Sequence, residues 1–84
     1  MAYIYNAEFE NKKKLTDMFG LLPESNEHEI IHYESLGSSI RVEISIRAEN
    51  DQEAIKSSIE LERKISEIIG GPINPQLEKV ERLR

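Results

Sequence analysis

Residues 40–69 constrain this chain more than any other stretch, because a two-residue alternation turns, at Asn50-Asp51, into a long helical repeat. Ile40, Val42, Ile44, Ile46 and Ala48 fall on one face of a strand, and Arg41, Glu43, Ser45, Arg47 and Glu49 on the other. Such alternation belongs to a strand with one buried and one wet face. Asn50 or Asp51 then caps a helix running to Ile69, where Gly70-Gly71 stops it and Pro72 prevents its return. At about 100° per residue, Ile68, Leu61, Ala54, Ile65, Ser58, Ile69, Ile55 and Ile59 cover an arc of roughly 180°, interrupted by Glu62. Covering one sheet face takes an arc of about 100° or slightly more. The surplus predicts a second contact. Ile55, Ser57, Ser58, Ile59, Leu61 and Ile68 are the residues expected to meet a partner helix, with the two small serines allowing close approach.

Upstream, Tyr3, Tyr5, Ala7 and Phe9 alternate with Ala2, Ile4, Asn6 and Glu8, which reads as a first strand. Asn11 is placed to cap a helix whose stripe is Leu15, Met18, Phe19 and Leu22, ended by Pro23. Residues 27–35 read as a second strand, joined to the third through a turn over Leu36-Gly37-Ser38-Ser39. In the tail, Asn74 caps, Pro75 takes the first helical position, and Leu77, Val80 and Leu83 recur every three residues, predicting a short helix.

The expected architecture is α+β. It is a β-α-β-β-α chain folding as a split β-α-β unit, a three-stranded antiparallel sheet of order 1-3-2 with two helices on one face. Residues 1–71 form a single domain and 72–84 a helical tail. This arrangement is three-quarters of a ferredoxin-like sheet, whose missing fourth strand leaves the edge of strand one open. Tyr3, Ile4, Tyr5, Asn6 and Ala7 are therefore the expected edge of a homodimer, since strand two carries Glu27, Glu29 and Glu34 and would face like charges.

Eighty-four residues make one small domain, of a size often completed by self-association or a partner. A net charge of −5 repels phosphate and argues against autonomous nucleic-acid binding. Lys12, Lys13 and Lys14 act against that mean and read as a solvated first helical turn. Without cysteine there is neither a disulfide framework nor a thiolate metal site. No apolar run approaches the roughly 20 residues of a membrane span, and Met-Ala-Tyr-Ile-Tyr-Asn has no signal-peptide pattern. A cytoplasmic location is expected.

His28-Glu29-Ile30-Ile31-His32 matches H-E-x-x-H, in which two imidazoles one helical turn apart bind zinc and the glutamate acts as base. That would make a miniature zinc hydrolase. On a strand, the two α-carbons would stand about 13 Å apart and could not share an ion. The pair therefore reads as sheet-face histidines, and neither metal nor cofactor is expected. Tyr3, Tyr5 and Phe9 could stack bases in a stand-alone RNA-binding domain, or pack under helices; the scarcity of basic partners favours packing.

Several of these segments together resemble the small dimerising subunit of the KEOPS complex. Ala2–Phe9 looks like that family's first strand, and Ile44-Ser45-Ile46-Arg47-Ala48 like its third. Asn50-Asp51 with Ala54-Ile55-Lys56-Ser57-Ser58-Ile59 resembles its capped helix and small-residue patch. Glu60-Leu61 departs from the Asn-Ser often found there, the turn after Ala48 is one residue longer, and the tail after Gly71 has no counterpart. The resemblance implies a noncatalytic, dimeric subunit that docks on a large ATP-binding catalytic subunit. That assembly installs the threonylcarbamoyl group on adenosine in tRNA, so any tRNA contact of this chain would be indirect.

Overall fold

The computed structural model describes residues 2–15 and 27–83. It contains β1 (Ala2–Glu10), β2 (His28–Ser35), β3 (Ser39–Arg47), α1 (Asp51–Ile69) and β4 (Lys79–Arg82). The strands form one antiparallel sheet of order β2-β3-β1-β4. The fold is thus α+β, as expected, and the order 1-3-2 is present within it. Two features differ. The sheet has four strands, and the described residues hold one helix.

The extra strand comes from the tail. β4 pairs with Tyr3–Asn6 of β1, so residues 79–82 are a strand where the three-residue spacing had predicted a helix. β3 and β4 run parallel with β1 between them, and α1 makes the crossover. The tail adopts the position of the strand that the three-stranded reading left missing. Pro75 sits in a turn over Asn74–Leu77 in which Asn74 Oδ1 accepts from the Gln76 N–H at 3.1 Å. With one half-buried residue, Val80, this short strand has no alternation long enough to announce itself.

The first predicted helix falls largely on residues 16–26, outside the described residues. Its expected opening is a turn. Asn11 is buried and braces it, accepting from the Leu15 N–H at 3.0 Å and donating to the Leu15 carbonyl at 2.8 Å. Lys14 has φ 52°, incompatible with a helical first turn. The lysine run is exposed but not idle. The Lys13 N–H donates to the Ile69 carbonyl at 3.2 Å, and its side chain lies 3.5 Å from the Glu67 carbonyl. α1 has no basic residue in its own last turn, so Lys13 supplies the cation its C-terminal dipole favours.

The β3–α1 segment follows its pattern closely. Ile40, Val42, Ile44 and Ile46 are buried, and Asn50 caps α1 by accepting from the Glu53 N–H at 2.9 Å. Gly70 ends the helix in the left-handed region, φ 79°, its N–H donating to the Ser66 carbonyl at 2.8 Å. Gly71 has a separate reason to be glycine: a Cβ there would run into the Glu10 carbonyl oxygen, where the chain crosses the end of β1. The core is Tyr3, Tyr5, Ala7, Phe9 and the β3 isoleucines and valine on the sheet, with Ala54, Leu61, Ile65 and Ile69 above them.

Candidate interaction surfaces

α1 divides the residues predicted to meet a partner helix. Leu61 is core at 3% exposure. Ile68 is partly buried against the core, Ser58 is buried with its hydroxyl donating to the Ile55 carbonyl at 2.7 Å, and Ser57 is half-buried. The margin of Leu61 and Ile68 therefore belongs to the fold, a correction to the expectation that it could dock a partner. The reason is the seat of α1 on the sheet: it packs on β1, β3 and β4 with Leu61 among the core side chains and Ile68 against them. The other margin stays open. Ile55 and Ile59, one turn apart, are 53% and 59% exposed.

That open margin faces β4. Glu62, three residues on from Ile59, is held against Glu78, just before β4. Burial, then the charge of Glu78 and a hydrogen bond with it, raise the Glu62 pKa. Glu78 also accepts from the Tyr5 hydroxyl at 2.7 Å, and burial followed by this bond holds the Tyr5 phenol protonated. Tyr3 donates to Asp51 at 2.7 Å, which ties β1 to the start of α1 and raises the Tyr3 pKa. Both tyrosines thus fasten other elements to β1. Sequence reasoning assigned them to the sheet face but missed their partners, which lie 48 and 73 residues away.

The edge predicted for dimerisation is occupied. Tyr3, Ile4, Tyr5 and Asn6 pair with Arg82, Glu81, Val80 and Lys79. Beyond Ala7, the Asn74 N–H donates to the Glu8 carbonyl and the Glu10 N–H to the Pro72 carbonyl, at 2.8 and 2.9 Å. The backbone groups that self-association through β1 would need are used within the chain.

β2 forms the opposite margin. Its pairing with β3 shifts at Ile31, between the pairs Ile30↔Ile44 and His32↔Glu43. Bonded pairs alternate along an antiparallel ladder. The Arg47 N–H donates to the Glu27 carbonyl and the Leu36 N–H to the Ser39 carbonyl. His28, Ile30, Tyr33 and Ser35 therefore turn their backbone groups outward. Pairing a second copy there, 28 with 35 and 30 with 33, would set Glu29 against Glu34; the register with 28 opposite 33 would set Glu27 against Glu34. Charge and bulge both guard this edge.

The shift also settles the geometry of the H-E-x-x-H run. It lies on a strand, with His28 level with buried Ile46 and His32 level with Glu43 on the opposite face. The imidazoles leave from opposite sides of the sheet, so the helical pairing that zinc hydrolysis requires is not formed. Among the described residues no group of three or more His, Asp or Glu side chains is placed to hold a metal.

The face of the sheet away from α1 carries Glu8, Glu29, Glu34, Glu43 and Glu81 against Arg41, Arg47 and Lys79, with Glu8 and Arg41 3.6 Å apart. Tyr3, Tyr5, Phe9 and Tyr33, all the tyrosines and phenylalanines of the described residues, lie on the helix side. A face with surplus carboxylates and, among the described residues, no tyrosine or phenylalanine lacks the basic groove and the row of rings of a base-stacking platform. No helix among the described residues is long and apolar enough to cross a membrane. No protein family, curated protein or solved structure matches this chain.

Proposed function

We propose that this chain is a noncatalytic interaction subunit, a small scaffold that presents α1 to a helix of a larger partner. The observation that carries this reading is the exposed pair Ile55 and Ile59, two large apolar side chains at the margin of the solvated face of α1. A helix seated on them would bury most of both side chains, a gain of about 2 kcal/mol each at most by transfer estimates. The resemblance of residues 2–9, 44–48 and 50–59 to the small KEOPS subunit suggests the partner class, a large ATP-binding enzyme that forms threonylcarbamoyl-adenosine in tRNA. On this reading the chain contacts tRNA only through that assembly and supplies no catalytic group.

The test is capture from native lysate with the tagged chain and with Ile55→Glu/Ile59→Glu. Both positions are solvent-exposed, so the variant should keep its circular dichroism and melting curve. The parent should recover a large ATP-binding protein and the variant should lose it. Recovery by neither, or equally by both, rejects the docking role of this stripe.

A further inference from the structure

The outer edge of β4 is complementary to itself. No strand lies beyond β4 among the described residues. The Leu83 N–H donates to the Ala2 carbonyl at 2.9 Å, which makes 2/83, 4/81 and 6/79 the bonded pairs of the β1–β4 ladder. Val80 and Arg82 therefore turn their backbone N–H and C=O groups away from β1, toward the outer edge.

We propose that two copies of this chain join antiparallel through β4, with Val80 on the two-fold axis. The sequence around it runs Leu77-Glu78-Lys79-Val80-Glu81-Arg82-Leu83. With Val80 opposite Val80 of the second copy, Lys79 faces Glu81, Glu78 faces Arg82, and Leu77 faces Leu83. Every charge meets its opposite twice. The two leucines, 43% and 50% exposed in the single chain, meet each other. Backbone parity agrees, because residues 78, 80 and 82 share the outward phase and form the bonded pairs of the new ladder.

No neighbouring register is as good. Moving the axis one way sets Glu81 against Glu81, and moving it the other way sets Lys79 against Lys79. Like charges directly opposite are unfavourable in a sheet. The sequence thus selects one alignment at β4, whereas β2 sets glutamate against glutamate with 28 opposite 35 and again with 28 opposite 33. Joining two β4 strands gives a continuous eight-stranded antiparallel sheet and closes the β4 edge by symmetry. Ile55 and Ile59 stand on the helix side of this seam and take no part in its register, so this inference and the partner-helix reading are tested at different residues.

The experiment is a charge swap read by sedimentation equilibrium at moderate salt. Lys79 pairs with Asn6 and Glu81 with Ile4, both uncharged, so reversing either charge breaks no ion pair among the described residues. The parent should dimerise. Lys79→Glu and Glu81→Lys, each alone, turn two attractions into two repulsions and should weaken the dimer by about 30-fold. The double variant Lys79→Glu/Glu81→Lys restores complementarity and should dimerise as the parent does. Mixing the two single variants should give a heterodimer, since one then carries two acids where the other carries two bases. The inference is overturned by a parent that stays monomeric at the highest accessible concentration. It is equally overturned by single variants that dimerise like the parent, or by a double variant and a mixture that fail to recover association while their circular dichroism matches the parent's.

Discussion

β2 and β1 illustrate two ways of managing a strand that would otherwise offer bare backbone. β2 is protected by its own residues: a bulge at Ile31 disturbs its ladder, and Glu27, Glu29 and Glu34 oppose a second copy. β1 has no such devices between Tyr3 and Ala7, and is covered instead by β4, anchored by Glu78 on Tyr5. A charged edge is independent of the rest of the chain. A covered one depends on whatever holds the cover in place, and here that includes Gly71, the Glu78 contacts and a single half-buried side chain, Val80.

The largest effect should come from the point where the cover is led across β1. Gly71→Ala puts a Cβ into the Glu10 carbonyl, and backbone must move to admit it. A loss of about 3 kcal/mol or more is expected, read as a lower urea midpoint. Because the tail rides on this crossing, amides of β4 should exchange faster than those of β3. Unchanged stability would show that the crossing is not what positions β4.

A smaller effect, with a sign that depends on pH, should follow Glu62→Gln. The Glu62 pKa is raised from 4.5 by burial, by the charge of Glu78 and by their hydrogen bond. The folded state therefore binds this proton more tightly than the unfolded chain does. The resulting penalty is absent below the unfolded pKa and develops as pH rises through the folded one. Glu62→Gln should thus stabilise the protein relative to the parent at pH 7 and lose that advantage near pH 4. Denaturation of both proteins at the two pH values measures the difference. A constant offset would mean that Glu62 does not press on the β4 anchor.

The smallest change in stability should come from the other margin. Glu29→Val/Glu34→Val lies on the solvent side of β2 and should alter stability by no more than about 0.5 kcal/mol. What it should change is behaviour at high concentration, because it removes the charges that keep β2 from pairing. Light scattering should show new association that Lys79→Glu does not relieve. A monodisperse double variant would mean that the bulge alone is sufficient.

The sequence was legible where many residues carried one signal. Five alternating positions from Ile40 to Ala48 located β3, and Asn50 and Gly70 bounded α1 to within a residue. The sheet order around β3 followed from the same pattern, since a hairpin and a strand pair are local statements. The tail was misread because Leu77, Val80 and Leu83 fit a helical spacing of three, while in the strand only Val80 turns inward. The wheel showed an apolar arc with two margins but not how the helix is rolled on the sheet, which buries Leu61 and half-buries Ile68 and leaves Ile55 and Ile59 exposed. Of the candidate surface, Ile55 and Ile59 were legible from the wheel. The clasps of Tyr3 on Asp51 and Tyr5 on Glu78 were not, because only tertiary pairing brings residues so far apart in sequence together.

The pairing of Tyr3 with Arg82 also sets an order on synthesis. β1 leaves the ribosome before both strands it pairs with and lies between them in the finished sheet. Its β3 side can be satisfied once the hairpin has emerged. Its other side must wait until β4 has emerged as well, because the strand that covers it follows β2, β3 and α1 in the chain. During that interval the nascent chain carries an aromatic strand, uncharged from Ala2 to Ala7, with one edge of its backbone bare, the kind of segment that chaperones hold and aggregates recruit. Closing so long a loop late is also slow compared with forming the hairpin. Folding of this small domain should therefore end with the docking of β4.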